Sequence, residues 1–155
     1  MRRTDREIAD PGQIEAIIKD CRVCRLGLTD GDQPYVVPLN FGYCRRGDGY
    51  VFYFHCASEG KKLDLLRKNP RVCLELDRGH ALEEGGDHAC AYSYRFQSVI
   101  ARGTAALVED VEEKKVALSA LMRQQTGREF TFTDEETRTV TVGRIDVAEL
   151  TAKAR

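Results

Sequence analysis

The chain has 155 residues, enough for one domain with a real core and too few for two. Its 24 Lys and Arg nearly balance 25 Asp and Glu, a formal net charge of −1, which argues against nucleic-acid binding driven by bulk charge. No stretch approaches the roughly 20 apolar residues needed to span a bilayer, and the opening segment lacks the apolar centre of a signal peptide, so a cytoplasmic location is expected.

Asp10 followed by Pro11 reads as the N-cap and first position of a helix that places Ile14, Ile17, Ile18 and Cys21 on one face. From Val23 the period becomes two, with Cys24, Leu26 and Leu28 in one phase, until Thr29-Asp30-Gly31-Asp32 supplies a turn. Tyr35 to Tyr43 reads as one strand. Pro38 lies inside it and cannot donate to a ladder, so this strand is expected at an edge, bulged, or open to a ligand.

Arg46-Gly47-Asp48-Gly49 signals a hairpin, with Tyr50 to His55 as its return strand. A helix is then expected from Ser58 as N-cap to Asn69-Pro70, burying Leu63 and Leu66. Its start is suited to an anion: helix N-termini offer unpaired N–H groups and a positive dipole end, Gly60 permits close approach, and Lys61 and Lys62 fall in the first turn. A merely solvated basic helix start is the competing reading.

Val72 to Leu76 is a further strand, and Leu82 to Asp87 an acidic, Gly-rich loop. Ala89 to Val108 is β-prone and too long to stay straight, with Gly103 a natural bend or bulge. Asp110 and Glu113 form a capping box for a helix through Gln125, with Leu118, Leu121 and Met122 on one side, ended by Thr126-Gly127. In the last strand Val140 and Val142 share one phase and Ile145 and Val147 the other, which predicts a bulge at Gly143.

Six cysteines without an export signal read as free thiols rather than a disulfide framework. A lone Cys21-x-x-Cys24 lacks the second pair that a closed zinc site needs, and His80, His88 and Cys90 read as part of a solvated loop, so no metal site is expected. Six or so antiparallel strands and three helices predict a single α+β domain over residues 1–155, a small closed or half-closed β-barrel with helices outside. No Gly-x-Gly-x-x-Gly occurs, so any nucleotide-like cofactor must be held by other means.

Several ordered segments carry a resemblance: Met1 to Ile8, Pro34 to Tyr43, Tyr53-Phe54-His55 with Ala57 and Gly60-Lys61-Lys62, Asn69-Pro70, Ser98-Val99-Ile100 before Gly103, Glu112-Glu113-Lys114, and Thr151-Ala152-Lys153. Across nearly its whole length the chain resembles the nitroimidazole-resistance flavoproteins of the pyridoxamine 5'-phosphate oxidase-like split-barrel superfamily. The resemblance implies an antiparallel split β-barrel and a homodimer holding FMN, or possibly FAD, in two clefts at the subunit interface. It further implies an oxidoreductase that passes electrons to a small acceptor such as a nitroimidazole.

On this resemblance Pro38, Leu39 and Asn40 would lie along the isoalloxazine, and Gly60, Lys61 and Lys62 would hold the phosphate. Phe54, Ala57, Ser98 and Val99 complete the expected cofactor contacts. His55 is the expected catalytic residue, since an imidazole can deliver a proton near neutral pH; packing beneath the cofactor is the plainer alternative for it. Cys56 stands where relatives often have Ser. The chain has no tryptophan and no Arg/Pro-rich C-terminal tail, so oxidation of vitamin B6 is not expected. Two alternatives stand beside the enzyme: a flavin carrier or sensor without turnover, and a haem-binding split barrel with His55 or His88 as axial ligand.

Overall fold

The computed structural model describes residues 3–155; Met1 and Arg2, part of the opening segment quoted above, lie outside the described residues. After a 3₁₀ turn at Thr4–Arg6, helix α1 spans Pro11–Asp20, capped by the Asp10 carboxylate, which accepts from the Gln13 N–H at 2.8 Å. The strands are β1 (Val23–Asp30), β2 (Gln33–Asn40), β3 (Gly42–Arg46), β4 (Gly49–Cys56), β5 (Arg71–Glu83), β6 (Ser93–Leu107) and β7 (Thr141–Ala154). Helices α2 (Lys61–Lys68), α3 (Val111–Thr126) and α4 (Asp134–Arg138) lie between them.

The seven strands form one antiparallel sheet in the order β2-β1-β5-β6-β7-β4-β3. The expected single strand Tyr35–Tyr43 is two strands at opposite edges of that sheet, joined by the single residue Phe41. Phe41 is buried in the core and Gly42 presses on the α3 backbone, so the chain turns from one edge to the other at that point. The sheet curls until β2 approaches β4 without pairing to it, leaving a split rather than a closed barrel. Pro38 is tolerated because β2 is an edge strand.

One core fills the inside of the curl, with Leu26, Leu74, Leu76, Phe52, Phe54 and Ile145 fully buried, and Ile17 and Ile18 of α1 joining it. Three α2 leucines, Leu63, Leu65 and Leu66, close it from the side, each contributing about 1.5–3 kcal/mol by burial. A second core lies outside the sheet, where α3 covers Val51, Tyr53 and Val142.

The two cores explain the phase change in β7. Val142 faces α3 and Ile145 faces the barrel interior, so the strand is buried on both sides and no bulge sits at Gly143. Gly143 is required for another reason: a Cβ there would lie 2.1 Å from the Phe54 ring. The register shift falls instead between Arg102 and Gly103 of β6, opposite Ala148 of β7, in the long run where a bend at Gly103 is expected.

Other boundaries also move. Strand β5 continues to Glu83, past the expected end at Leu76, with a second irregularity between Arg78 and Ala81. At α3 the Asp110 carboxylate caps the Glu113 N–H at 2.7 Å, but the Glu113 side chain turns to Arg144 at 3.0 Å, so the capping box is half-formed. The fourth helix, α4, carries a complete box between Thr133 and Glu136 that the sequence reading passed over.

Candidate functional site

Two recesses bridge β2 and the end of β4. The first is a cradle at the start of α2, lined by Tyr35 and Val37 of β2, Cys56 at the end of β4, Ala57 and Glu59 after it, and Gly60, Lys61, Lys62 and Leu63. Helix α2 begins two residues later than expected. Ser58 is not its cap; Gly60 is, at φ 134°, a conformation that favours glycine, and no side chain caps the first turn. The first helical N–H groups are therefore left facing outward, and nothing stands within 4 Å of where a Gly60 side chain would begin.

The two lysines differ. Lys61 Nζ pairs with Asp30 Oδ2 at 2.8 Å, which raises its pKa and lowers that of Asp30, and it lies 5.0 Å from the centre of the Tyr35 ring. Lys62 is half-buried, with Nζ 5.1 Å from the centre of the Phe54 ring. Burial pushes the nearby Cys56 thiol up, away from the reactive thiolate.

The second recess is a chamber of about 380 Å³ on the α3 side of the sheet. Strand alternation sends Phe54 and Cys56 toward the barrel interior, and Tyr53 and His55 toward α3. The exposed His55 imidazole thus stands at the chamber with Asn40 and Gln125 as the other polar groups. Leu118, Leu121 and Met122 of α3 form one wall, and Phe132 and Val140 close it from the segments flanking α4.

The structure brings Ala57, Gly60, Lys61 and Lys62 together in the cradle, and Asn40 and His55 in the chamber. Pro38 is exposed on the outer face of β2, while Leu39 is half-buried against the barrel core. Phe54 and Val99 are core residues, 1% and 0% exposed, so their side chains have no free surface for a ligand within this chain. Ser98 is buried as well, 7% exposed, on β6 between Asp77 and Lys153 and away from the split.

Gln125, Phe132 and Val140 line the chamber without any sequence signal that marks them as site residues. Leu118, Leu121 and Met122 were legible as an apolar helix face, but nothing in the periodicity says that part of such a face stays uncovered. Cys21 and Cys24 are buried free thiols, pushed by burial to about 11 and about 12, and among the described residues no cluster of His, Cys, Asp and Glu could hold a metal. Nor is any described helix long and apolar enough to cross a membrane.

Residues 10–154 match the pyridoxamine 5'-phosphate oxidase family. The chain belongs to this family. A solved structure of a candidate 5-nitroimidazole antibiotic resistance protein from Bacteroides thetaiotaomicron is 38% identical, with 96% of this chain and 86% of that one covered and a TM-score of 0.81. The flavocytochrome Anf3 from Azotobacter vinelandii shares the fold at 23% identity, covering 100% of this chain and 72% of that one, TM-score 0.78. So does an FAD-binding protein from Mesorhizobium loti, at 23% identity, 97% coverage of both chains and a TM-score of 0.66. No curated protein matches the chain. The family fold is thus an antiparallel split barrel with flanking helices, and flavin-binding proteins are among its structural neighbours.

Proposed function

We propose that this member of the family is a flavin-dependent oxidoreductase, with FMN as its cofactor and a small molecule such as a nitroimidazole as electron acceptor. The observation that carries the reading is the pairing of an anion cradle with an apolar, histidine-edged chamber across one split. The cradle suits a phosphate: uncapped N–H groups, an open glycine and Lys62 converge there and outweigh the one charge of Glu59, and Lys61 stands by with its charge shared with Asp30. The chamber suits one flat, largely apolar ring or acceptor.

A bound flavin would supply electron transfer from a reduced nicotinamide or another donor. The chain's own part is to hold the phosphate, to exclude water with the α3 leucines, and to offer a proton from His55 to the acceptor as it is reduced. A homodimer belongs to this reading. Among the described residues no helix covers the outer face of β2, β1, β5 and β6, which exposes Val36 and Ile100, so a second copy there would cover apolar surface and bring Pro38 beside the partner.

The first test is the absorption spectrum of freshly purified protein: flavin bands are expected. A Soret band would instead favour haem, for which His55 against an apolar chamber is the fitting ligand. The second is anaerobic mixing of flavin-loaded protein with reduced nicotinamide and a nitroimidazole. If the flavin does not bleach and the nitro compound persists, the oxidoreductase reading fails. If His55→Ala leaves the redox kinetics unchanged, the protein is a carrier or sensor rather than a catalyst using this imidazole.

A further inference from the structure

The polarity of the chamber is fixed by two amides. Asn40 Nδ2 donates to Arg22 O at 3.0 Å and to Gln125 Oε1 at 3.2 Å, which uses both of its N–H groups. Gln125 Nε2 donates to Arg22 O at 3.1 Å and to Phe41 O at 3.0 Å, which uses both of its own. Turning over either amide would set carbonyl oxygen against carbonyl oxygen, so neither can be reversed without loss. What Asn40 has left to offer a ligand is its carbonyl oxygen, and what Gln125 has left is the free lone pair of Oε1. Among the described residues no Lys, Arg, Asp or Glu side chain lines the chamber, and its remaining polar group is the His55 imidazole.

We infer that this chamber is the binding site for a neutral, flat heterocycle bearing an N–H donor, and that Arg22 O and Gln125 together hold Asn40 as its acceptor, with Gln125 Oε1 offering a second one. The apolar walls take the body of the ring, and the carbonyl oxygens take its N–H. Anions are directed to the cradle at α2, where the N–H groups and lysines lie. The assignment of this ligand as the electron acceptor rests on the flavoprotein reading; its binding does not.

Indole and 1-methylindole are the probes, since they differ only in the ring N–H and its methyl replacement. The chain contains no tryptophan, so indole fluorescence excited on the red edge of its band, where the 6 tyrosines do not absorb, reports the probe. Binding is measured with flavin-free and flavin-loaded protein, without an electron donor. Indole is expected to bind about fivefold more tightly than 1-methylindole, the equivalent of one net hydrogen bond. Gln125→Met removes the Oε1 acceptor while Arg22 O still holds the Asn40 amide in place, so the preference for indole should narrow, and Asn40→Leu, which removes the carbonyl oxygen itself, should bring the two affinities together. Val140→Phe fills the chamber and should weaken both probes at least about tenfold while flavin is retained.

Equal affinities of the wild type for the two probes would overturn the inference, and that comparison needs no variant to fold. Unchanged probe binding in a folded Val140→Phe would overturn it as well. Loss of flavin together with the probes in Val140→Phe would assign the chamber to the flavin, refuting this inference and leaving the flavoprotein reading intact. A wild type that takes up no flavin but discriminates the probes would leave the inference standing and refute that reading.

Discussion

Gly42 is where β3 meets α3, and replacing it by alanine probes the contact that shapes the chamber. A Cβ at Gly42 would lie 2.3 Å from Leu121 N, 2.4 Å from Ala120 C and 2.7 Å from Ala120 O. Ordinary contact begins near 3.4 Å, so strand and helix must separate by about 1 Å, and because the opposing atoms are backbone no side-chain rotation relieves the clash. Overpacking of this kind costs about 1–3 kcal/mol. At roughly 2–4 °C per kcal/mol for a chain of this size, the upper end corresponds to a fall in Tm of about 6–12 °C. The same movement pulls Gln125 Nε2 from Phe41 O, now 3.0 Å apart, so the chamber loosens with the core. Thermal melts followed by circular dichroism should show the loss for Gly42→Ala and not for Gly49→Ala, whose added Cβ meets nothing closer than Arg46 O at 3.6 Å. A Gly42→Ala protein melting within about 2 °C of the wild type would refute the claim that α3 is held rigidly against β3.

The cradle gives two further expectations. Lys62→Ala should weaken flavin retention about tenfold in equilibrium dialysis, and Lys61→Ala less, because the Lys61 charge is already shared with Asp30. Asp30→Asn should free Lys61 and tighten retention a few-fold. That gain should be flat from about pH 7 to 9, above the second phosphate ionisation at about pH 6, because the partner holds Asp30 below its usual 3.8 and Lys61 above its usual 10.5. It should vanish only as the pH falls through the lowered pKa of Asp30, where the wild-type carboxylate itself protonates and releases Lys61. The thiols supply a fourth: at pH 8.5 iodoacetamide should label the exposed Cys90 in the folded protein and spare buried Cys21 and Cys24 until denaturant is added, as read by peptide mass spectrometry.

Local signals were legible wherever one residue or one period decides the outcome. Asp10 and Asp110 cap their helices, the Arg46–Gly49 hairpin turns, and Pro38 sits at an edge, because each depends on neighbours within a few positions. Tyr35–Tyr43 shows where this ends. Its residues are β-prone throughout, and nothing local reveals that Phe41 carries the chain from one edge of the sheet to the other; that is a property of how the sheet curls. Gly143 is similar, since a phase change reads equally as a bulge or as burial on both faces, and only the presence of α3 on the far side decides. The α2 side of the cradle lay in one continuous run and could be read, apart from the shift of the cap from Ser58 to Gly60, while Tyr35 and Val37 reach it from β2 with no local signal. The chamber is assembled from β2, β4, α3 and the segments beside α4, so Gln125, Phe132 and Val140 had no shared pattern to mark them.

The prolines of β2 bear on how the molecule behaves in a crowded solution. Pro34 and Pro38 pair in unbroken register with Thr29 and Arg25 of β1, and a proline nitrogen cannot be among the groups that bond across such a ladder. Both nitrogens therefore face the free edge, on the side shared with Val36 and Asn40, so half of the four backbone donors that an invading strand would need there are missing. The opening between β2 and β4 can stay accessible to a small molecule while being a poor template for another polypeptide. Replacing both prolines with valine would restore the donors, and the price of an open barrel would then be paid as strand-to-strand aggregation.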